Sequence, residues 1–123
     1  MSGPIPIYLG ARPLAAMTAA DVLTTFPLSF SGKIVGFRSV VKVVTTDANG
    51  AATINLEIGT TNLSGGVLTL GFATFTPIGK VTEATAITGN NTFVSGDTLS
   101  IECSAITAWD DGEAEFWIDV VLT

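Results

Sequence analysis

Apolar and polar residues alternate along most of this chain. Between Ala52 and Ile58, apolar residues occupy every second position, and Thr53, Asn55 and Glu57 stand between them. Successive side chains of a β-strand point to opposite faces, so this pattern predicts a strand with one buried face.

The same period predicts further strands. In residues 23–30, Pro27 indicates an edge strand because proline cannot donate to a sheet ladder. In residues 33–45, Gly36 indicates a bulge or a close approach. The apolar faces predicted in these and the later strands contain Phe26, Leu28, Phe30, Val35, Phe37, Val41, Val43, Leu68, Leu70, Phe72, Leu99, Ile101, Cys103, Ala114, Phe116, Ile118, Val120 and Leu122.

Turn signals separate these segments. Asn49-Gly50 is typical of a hairpin turn, so we expect residues 33–45 and 52–58 to form a hairpin. Residues 76–96 are the least regular, and we expect Phe93 to anchor them to the core. About seven or eight short strands without a convincing helix predict an all-β fold, a single antiparallel β-sandwich or jelly-roll domain.

Residues 1–22 differ from the rest of the chain. Pro4 and Pro6 favour extended backbone, and Ile5, Ile7, Tyr8 and Leu9 are too apolar for a solvated tail. We therefore predict an extended N-terminal arm, residues 1–22, followed by a β-sandwich domain, residues 23–123. The arm would lie on its own domain or reach a neighbouring subunit. On the second interpretation, removal of residues 1–13 leaves a folded domain that no longer assembles.

Composition points to a covered surface. Charged residues make up 13% of the chain, against about 25% in an average domain. Low charge favours a surface buried against another protein, although a Thr-rich β-protein would show the same composition. The net charge is −6 and the five basic residues are scattered, which argues against direct binding to nucleic acid or to a membrane surface. The N-terminus lacks the pattern of a signal peptide, so we expect synthesis in a cytoplasm.

Residues for catalysis or metal binding are scarce. The chain has no histidine and one cysteine, Cys103, which the strand pattern places inward as an inert thiol. We therefore predict no enzyme activity, no catalytic residues, no metal site and no cofactor. One acidic cluster, Asp110, Asp111, Glu113 and Glu115, has oxygen ligands suitable for calcium. The turn Asp110-Asp111-Gly112 and the outward positions of the last strand favour a solvated surface instead.

The two tryptophans, Trp109 and Trp117, have three interpretations. Tryptophan is enriched as an anchor of protein interfaces, which we rank first. Burial in the core comes second and stacking on a sugar third. Together with the apolar residues of the arm, they give the interface candidates Ile5, Ile7, Tyr8, Leu9, Trp109 and Trp117.

Three stretches resemble small β-sandwich modules in virion proteins of tailed bacteriophages. They are TTFPLSFSGKIVGFRSVV, NLEIGTTNLSGGVLTL and TGNNTFVSGDTLSIEC. The second contains an I-G-T-x-x-[LIV]-x-G-G-x-[LIV] pattern at Ile58–Leu68. The third contains a G-N-N-x-[FV]-x-x-G-D-x-[LIV]-x-[LIV] pattern at Gly89–Ile101. The resemblance spans residues 24–122, and the N-terminal arm has no matching motif.

The resemblance implies a capsid decoration (cement) protein on the virion surface. Its expected partners are the major capsid protein and further copies of this chain, as a trimer first and a dimer second. Such a clamp requires no active site and gains strength from many weak contacts. The alternatives are a tail fibre or spike module that binds a carbohydrate receptor, and another tail or connector component.

Overall fold

The computed structural model describes residues 4–18, 21–107 and 109–123, without the side chains of residues 21 and 23–26. The described residues form ten strands: β1 (Ile5–Pro13), β2 (Asp21–Pro27), β3 (Gly32–Val43), β4 (Ala51–Ile58), β5 (Thr61–Asn62), β6 (Leu68–Gly71), β7 (Val81–Glu83), β8 (Thr92–Phe93), β9 (Thr98–Thr107) and β10 (Glu113–Leu122). Two single 3-10 turns, Leu14–Ala16 and Phe72–Thr74, are the helical elements of these residues.

The strands form two antiparallel sheets. The first has the order β1-β10-β3-β7, with β8 also paired to β3; the second has the order β2-β9-β4-β5, with β6 also paired to β4. The prediction of an all-β, antiparallel fold is confirmed, with more strands than expected. The finer assignment to a jelly roll stays a prediction. Strand β2 lies at the end of its sheet, as Pro27 indicates.

The core lies between the sheets and is built from their inward positions. In β10 the alternation is regular, and Ala114, Phe116, Ile118 and Val120 are all fully buried. In β9 the predicted inward residues are buried as well. Leu122 is an exception, because it lies at the end of β10 beyond the core and is 56% exposed.

The predicted hairpin between residues 33–45 and 52–58 is wrong. Strand β3 pairs with β10 in the first sheet, whereas β4 pairs with β9 in the second. The turn before Gly50 therefore carries the chain from one sheet to the other. Alternation identifies the buried face of each strand but does not identify its partner.

Two irregularities in β3 reverse part of its predicted face. The register against β10 shifts between the pairs Asp119–Gly36 and Val120–Ile34, and again near the start of β10. Each shift inserts one extra residue in β3, as in a β-bulge. Ile34 and Phe37 consequently point inward, while Val35 and Val43 are 40% and 46% exposed. The bulge expected at Gly36 is present, but the two valines were assigned to the wrong face.

The connection between β6 and β9 is irregular, as expected. Phe93 is 1% exposed and packs edge-on against Phe30, with ring centroids 5.3 Å apart, so it anchors this segment. Phe72 was predicted to share the buried face of β6. It begins a 3-10 turn instead and is 41% exposed.

The two glycine-containing motifs meet in this region. Ser64 and Gly89 form an isolated antiparallel bridge, which joins the interior of the first motif to the beginning of the second. Gly65 has a φ of +76°, and a Cβ there would lie 1.9 Å from the carbonyl oxygen of Ala86. A side chain at this position is excluded by both the backbone conformation and the contact.

The predicted N-terminal arm is not confirmed as a separate element. Residues 5–13 are extended, but they form β1, which pairs with β10 along its length at the edge of the first sheet. Of the two interpretations, the structure places this segment on its own domain. The described chain therefore uses its apolar N-terminal residues within its own fold, and the division at residue 22 stays a prediction.

Candidate interaction surface

The outer face of the first sheet carries an aromatic pair. Tyr8 of β1 lies opposite Trp117 of β10, and both side chains point away from the core. Their ring centroids are 5.0 Å apart with an interplanar angle of 52°. The Tyr8 side chain is 47% exposed. Two of the predicted interface residues thus form one accessible unit.

Arg38 extends this unit onto the next strand. It lies opposite Trp117 in the register between β10 and β3, with its guanidinium carbon 5.7 Å from the centroid of the Trp117 ring. Its Nη1 also donates to the carboxylate of Asp119 at 2.6 Å. Glu83 of β7 lies opposite Arg38 on the other side. A row of four side chains, Tyr8, Trp117, Arg38 and Glu83, therefore crosses the sheet.

Charges of opposite sign occupy neighbouring strands on this face. The basic column consists of Lys33, Arg38 and Lys42 on β3, and the acidic column consists of Glu113, Glu115 and Asp119 on β10. Lys42 and Glu113 are paired, with Nζ and Oε2 3.3 Å apart. The pKa of Tyr8 is raised, first by desolvation and then by the negative charge of Glu115.

Exposed valines surround the row. Val35, Val43 and Val81 are each between 40% and 48% exposed. Val40 lies on β3 between Arg38 and Lys42 of the basic column and pairs with Val81 across β3 and β7. The outer face therefore combines aromatic and aliphatic side chains with paired charged groups.

The remaining predicted interface residues have different environments. Ile5 begins β1 and is 40% exposed, whereas Ile7 and Leu9 are half-buried against the core. Ile7 and Leu9 also line an open cleft of about 220 Å³ between β1 and residues 27–30. This cleft lies where the edge strands of the two sheets approach each other.

Trp109 is not presented to a partner in this structure. It is 4% exposed, its ring centroid lies 5.8 Å from that of Phe75, and it covers Gly50. A Cβ at Gly50 would lie 2.3 Å from Cε3 of Trp109. The Trp109 indole nitrogen has no hydrogen-bond partner among the described residues. Trp109 therefore lies in the core, which was the second of the three interpretations of the tryptophans.

The acidic cluster is divided among separate contacts. The Asp111 carboxylate accepts hydrogen bonds from the Thr46 hydroxyl at 2.6 Å, the Thr46 amide at 2.7 Å and the Thr45 hydroxyl at 2.8 Å. These bonds lower its pKa, with the Thr46 hydroxyl first. Within the described ranges, no group of three or more acidic, cysteine or histidine side chains is arranged to hold a metal ion.

Cys103 is buried on the inner face of β9, as predicted. Its thiol lies 3.3 Å from the carbonyl oxygen of Ala105, and burial raises its pKa. A raised pKa keeps the thiol protonated and weakly nucleophilic.

In the described part of the chain, no helix has the length and hydropathy needed to cross a membrane.

Sequence reasoning missed Arg38, Asp119, Glu83 and Val81 as members of this surface. The alternation placed Arg38 outward, but its neighbours depend on how β3 pairs with β10 and β7. No local pattern specifies those pairings, because they join segments distant in the chain.

Comparison with known proteins adds information at the level of the fold. No protein-family model matches the chain, and no curated protein matches its sequence. Among solved structures, a chain in the capsid of Ralstonia phage GP4 superposes with a TM-score of 0.51 at 15% identity. The match covers 98% of this chain and 85% of that chain.

The fold is similar to that of a phage capsid chain. At this identity the likeness concerns the path of the backbone and not the chemistry of any surface. It agrees at a coarse level with the resemblance to phage virion modules noted in the sequence.

Proposed function

We propose that this protein is a structural component of a phage virion, a decoration or cement protein that binds the assembled head and bridges its major capsid proteins. The observation that supports this proposal most directly is the fold similarity to a chain of a phage capsid, which extends over 98% of this chain. The sequence motifs point to the same class independently of the structure. The role is non-enzymatic.

The physical properties of the domain suit a clamp. Strands pair over long sequence separations in both sheets, and the fully buried core gives a rigid body. A rigid body loses little conformational entropy when it binds. The net charge of −6 repels the polyanionic DNA that fills a head. Many identical weak contacts around a shell add up through avidity.

The edge of β1 is the shell contact to test first. Among the described residues β1 is the terminal strand of its sheet, and Ile5 together with the cleft beside Ile7 and Leu9 supplies apolar contacts. An extended segment of a capsid protein would add to this edge as a further strand. Ile5→Lys should weaken such binding without unfolding the domain, because Ile5 is 40% exposed.

The experiment is an add-back assay with heads that lack this protein. Purified protein is mixed with the heads, sedimented and quantified, and the temperature at which the heads release DNA is recorded. We expect saturable co-sedimentation and a higher release temperature, both reduced by Ile5→Lys. Thr69→Lys, an exposed change on β6 in the second sheet, is the matched control. Heads that neither bind the protein nor gain stability would overturn the proposal.

A second candidate is a fibre module that binds a carbohydrate. The exposed Tyr8–Trp117 pair favours it, since aromatic rings stack on sugars and Glu115 and Asp119 offer acceptors nearby. The original protein would then bind on a glycan array and not to heads, and Trp117→Ala would abolish the glycan binding.

A further inference from the structure

We propose that the outer face of the first sheet is an interface between two copies of this chain, packed face to face about a twofold axis. This inference goes beyond the proposed function and does not depend on binding to a shell. Its centre consists of Tyr8, Trp117 and Arg38, the three residue types most enriched at energetic centres of interfaces. The exposed valines Val43 and Val81 lie around them.

The arrangement of charge fits a second copy. The acidic column of β10 lies directly beside the basic column of β3. A twofold axis that runs along the strands, between these two columns, places the acidic column of each copy over the basic column of the other. An axis across the strands would place acid over acid instead. The charges therefore select one of the two ways in which this face can pack on itself.

The row of four side chains is complementary to itself under the same axis. Rotation about this axis keeps the position of each residue along the strand direction and reverses the order of the four strands across the sheet. Trp117 of one copy then faces Arg38 of the other, in both directions, and Tyr8 faces Glu83. The first contact is a cation–π pair and the second allows the phenol to donate to a carboxylate. Every member of the row meets a partner of suitable chemistry.

The size of the face is adequate for a dimer. Strands β1, β10, β3 and β7 contain 9, 10, 12 and 3 residues. With strands about 4.8 Å apart and a rise of about 3.3 Å per residue, they cover roughly 540 Å² in projection. A standard interface buries about 800 Å² of accessible surface per partner. The accessible surface of a sheet covered by side chains is larger than its flat projection, so the two areas are comparable. Aligned packing of two sheets is also a common arrangement.

The test uses charge reversal in two complementary variants. The first, Glu113→Lys with Glu115→Lys, gives both columns a net positive charge, with Asp119 retained. The second, Lys33→Glu with Lys42→Glu, gives both columns a net negative charge, with Arg38 retained. Analytical ultracentrifugation should show a dimer for the original protein and a dimer at least about tenfold weaker for each variant alone. An equimolar mixture should restore a dimer, because each reversed column then meets its opposite.

A matched control changes the charge equally elsewhere. Asp110→Lys, Thr69→Lys and Thr107→Lys together add the same four positive charges as the first variant, at exposed positions outside the outer face. This control should dimerise like the original protein. If the original protein is a monomer or a trimer at its highest soluble concentration, the proposal is overturned. It is overturned equally if the mixture of folded variants stays monomeric.

A second measurement requires no substitution. Trp109 is buried, so the fluorescence that acrylamide quenches reports mainly on Trp117. We expect quenching to increase as the protein is diluted through the dissociation constant of the dimer. Quenching that is independent of concentration, while sedimentation shows a dimer, would place the interface on another surface and contradict the proposal.

Discussion

Gly50 and Trp109 show how one small residue allows the chain to pass between the sheets. Gly50 follows the turn that leads from β3 to β4 and lies so close to the Trp109 ring that a Cβ at this position would overlap the ring. The ring in turn closes this end of the core against Phe75. Asn-Gly was interpreted as a hairpin signal, but here the glycine serves a packing contact.

Gly50→Ala should destabilise the protein by about 2 kcal/mol, since overpacking a filled site typically costs between about 1 and 3 kcal/mol. Urea unfolding followed by fluorescence measures the change. Gly71→Ala is the control, because no atom lies within 4 Å of a Cβ at that position and its φ is ordinary. Equal stability of the two variants would show that Trp109 does not pack on Gly50.

Asp111 should make stability depend on pH. Three hydrogen bonds to its carboxylate lower its pKa in the folded state. The resulting stabilisation is complete above the ordinary carboxyl pKa of about 4 and is lost as the pH falls through the lowered, folded-state value.

Asp111→Asn should therefore be less stable than the original protein at neutral pH, and the difference should narrow on acidification. Thermal unfolding at a series of pH values measures this, with Asp110→Asn as the control because Asp110 does not bond to Thr45 or Thr46. A difference that stays constant with pH contradicts the assigned role of these bonds.

At the scale of elements, the bulge in β3 exchanges the environments of neighbouring residues. Ile34 is fully buried and Val35 is 40% exposed. Ile34→Thr should cost about 2 kcal/mol or more, since it removes buried methyl groups and adds a buried hydroxyl. Val35→Thr should change stability by less than about 0.5 kcal/mol. Chemical denaturation measures the free energy of unfolding of both variants. A larger loss for Val35→Thr than for Ile34→Thr would mean that β3 alternates without a bulge.

Strand β1 should be necessary for the stability of the domain. Deletion of residues 1–13 removes an edge strand and exposes the backbone of β10, so we expect a large loss of stability or insolubility. A shorter deletion, residues 1–4, ends before β1 and should be tolerated. Circular dichroism and urea titration measure the folding and the stability of both deletion variants. A stable, soluble deletion of residues 1–13 that no longer assembles would restore the interpretation as an arm.

The sequence predicted which face of a strand is buried better than it predicted which strands pair with each other. Regular alternation in β9 and β10 predicted their buried residues, and the turns bounded most strands. The hairpin, Val35 and Val43 were placed incorrectly, because bulges shift the alternation and long-range pairing has no local signature. For Trp109 the sequence left an interface and the core open, and the ring lies in the core. The outer-face row could not be assembled for the same reason, although Tyr8 and Trp117 were both selected as interface residues.

At the scale of the whole molecule, the two sheets present different outer surfaces. The outer face of the first sheet carries the aromatic row and both charge columns, whereas described outward residues of the second sheet include Thr53, Asn55 and Glu57. This difference suits a protein that binds different partners through its different surfaces. A dimer formed through the first sheet would leave the β1 edges available to two neighbouring capsid subunits.

The most direct measurement is the molar ratio of this protein to the major capsid protein in purified, tail-free heads, determined by quantitative mass spectrometry. The proposed function predicts a fixed ratio that is reproduced between preparations and retained through gradient purification. Absence of the protein from heads, or its presence only in isolated tails and fibres, would contradict a role in stabilising the shell.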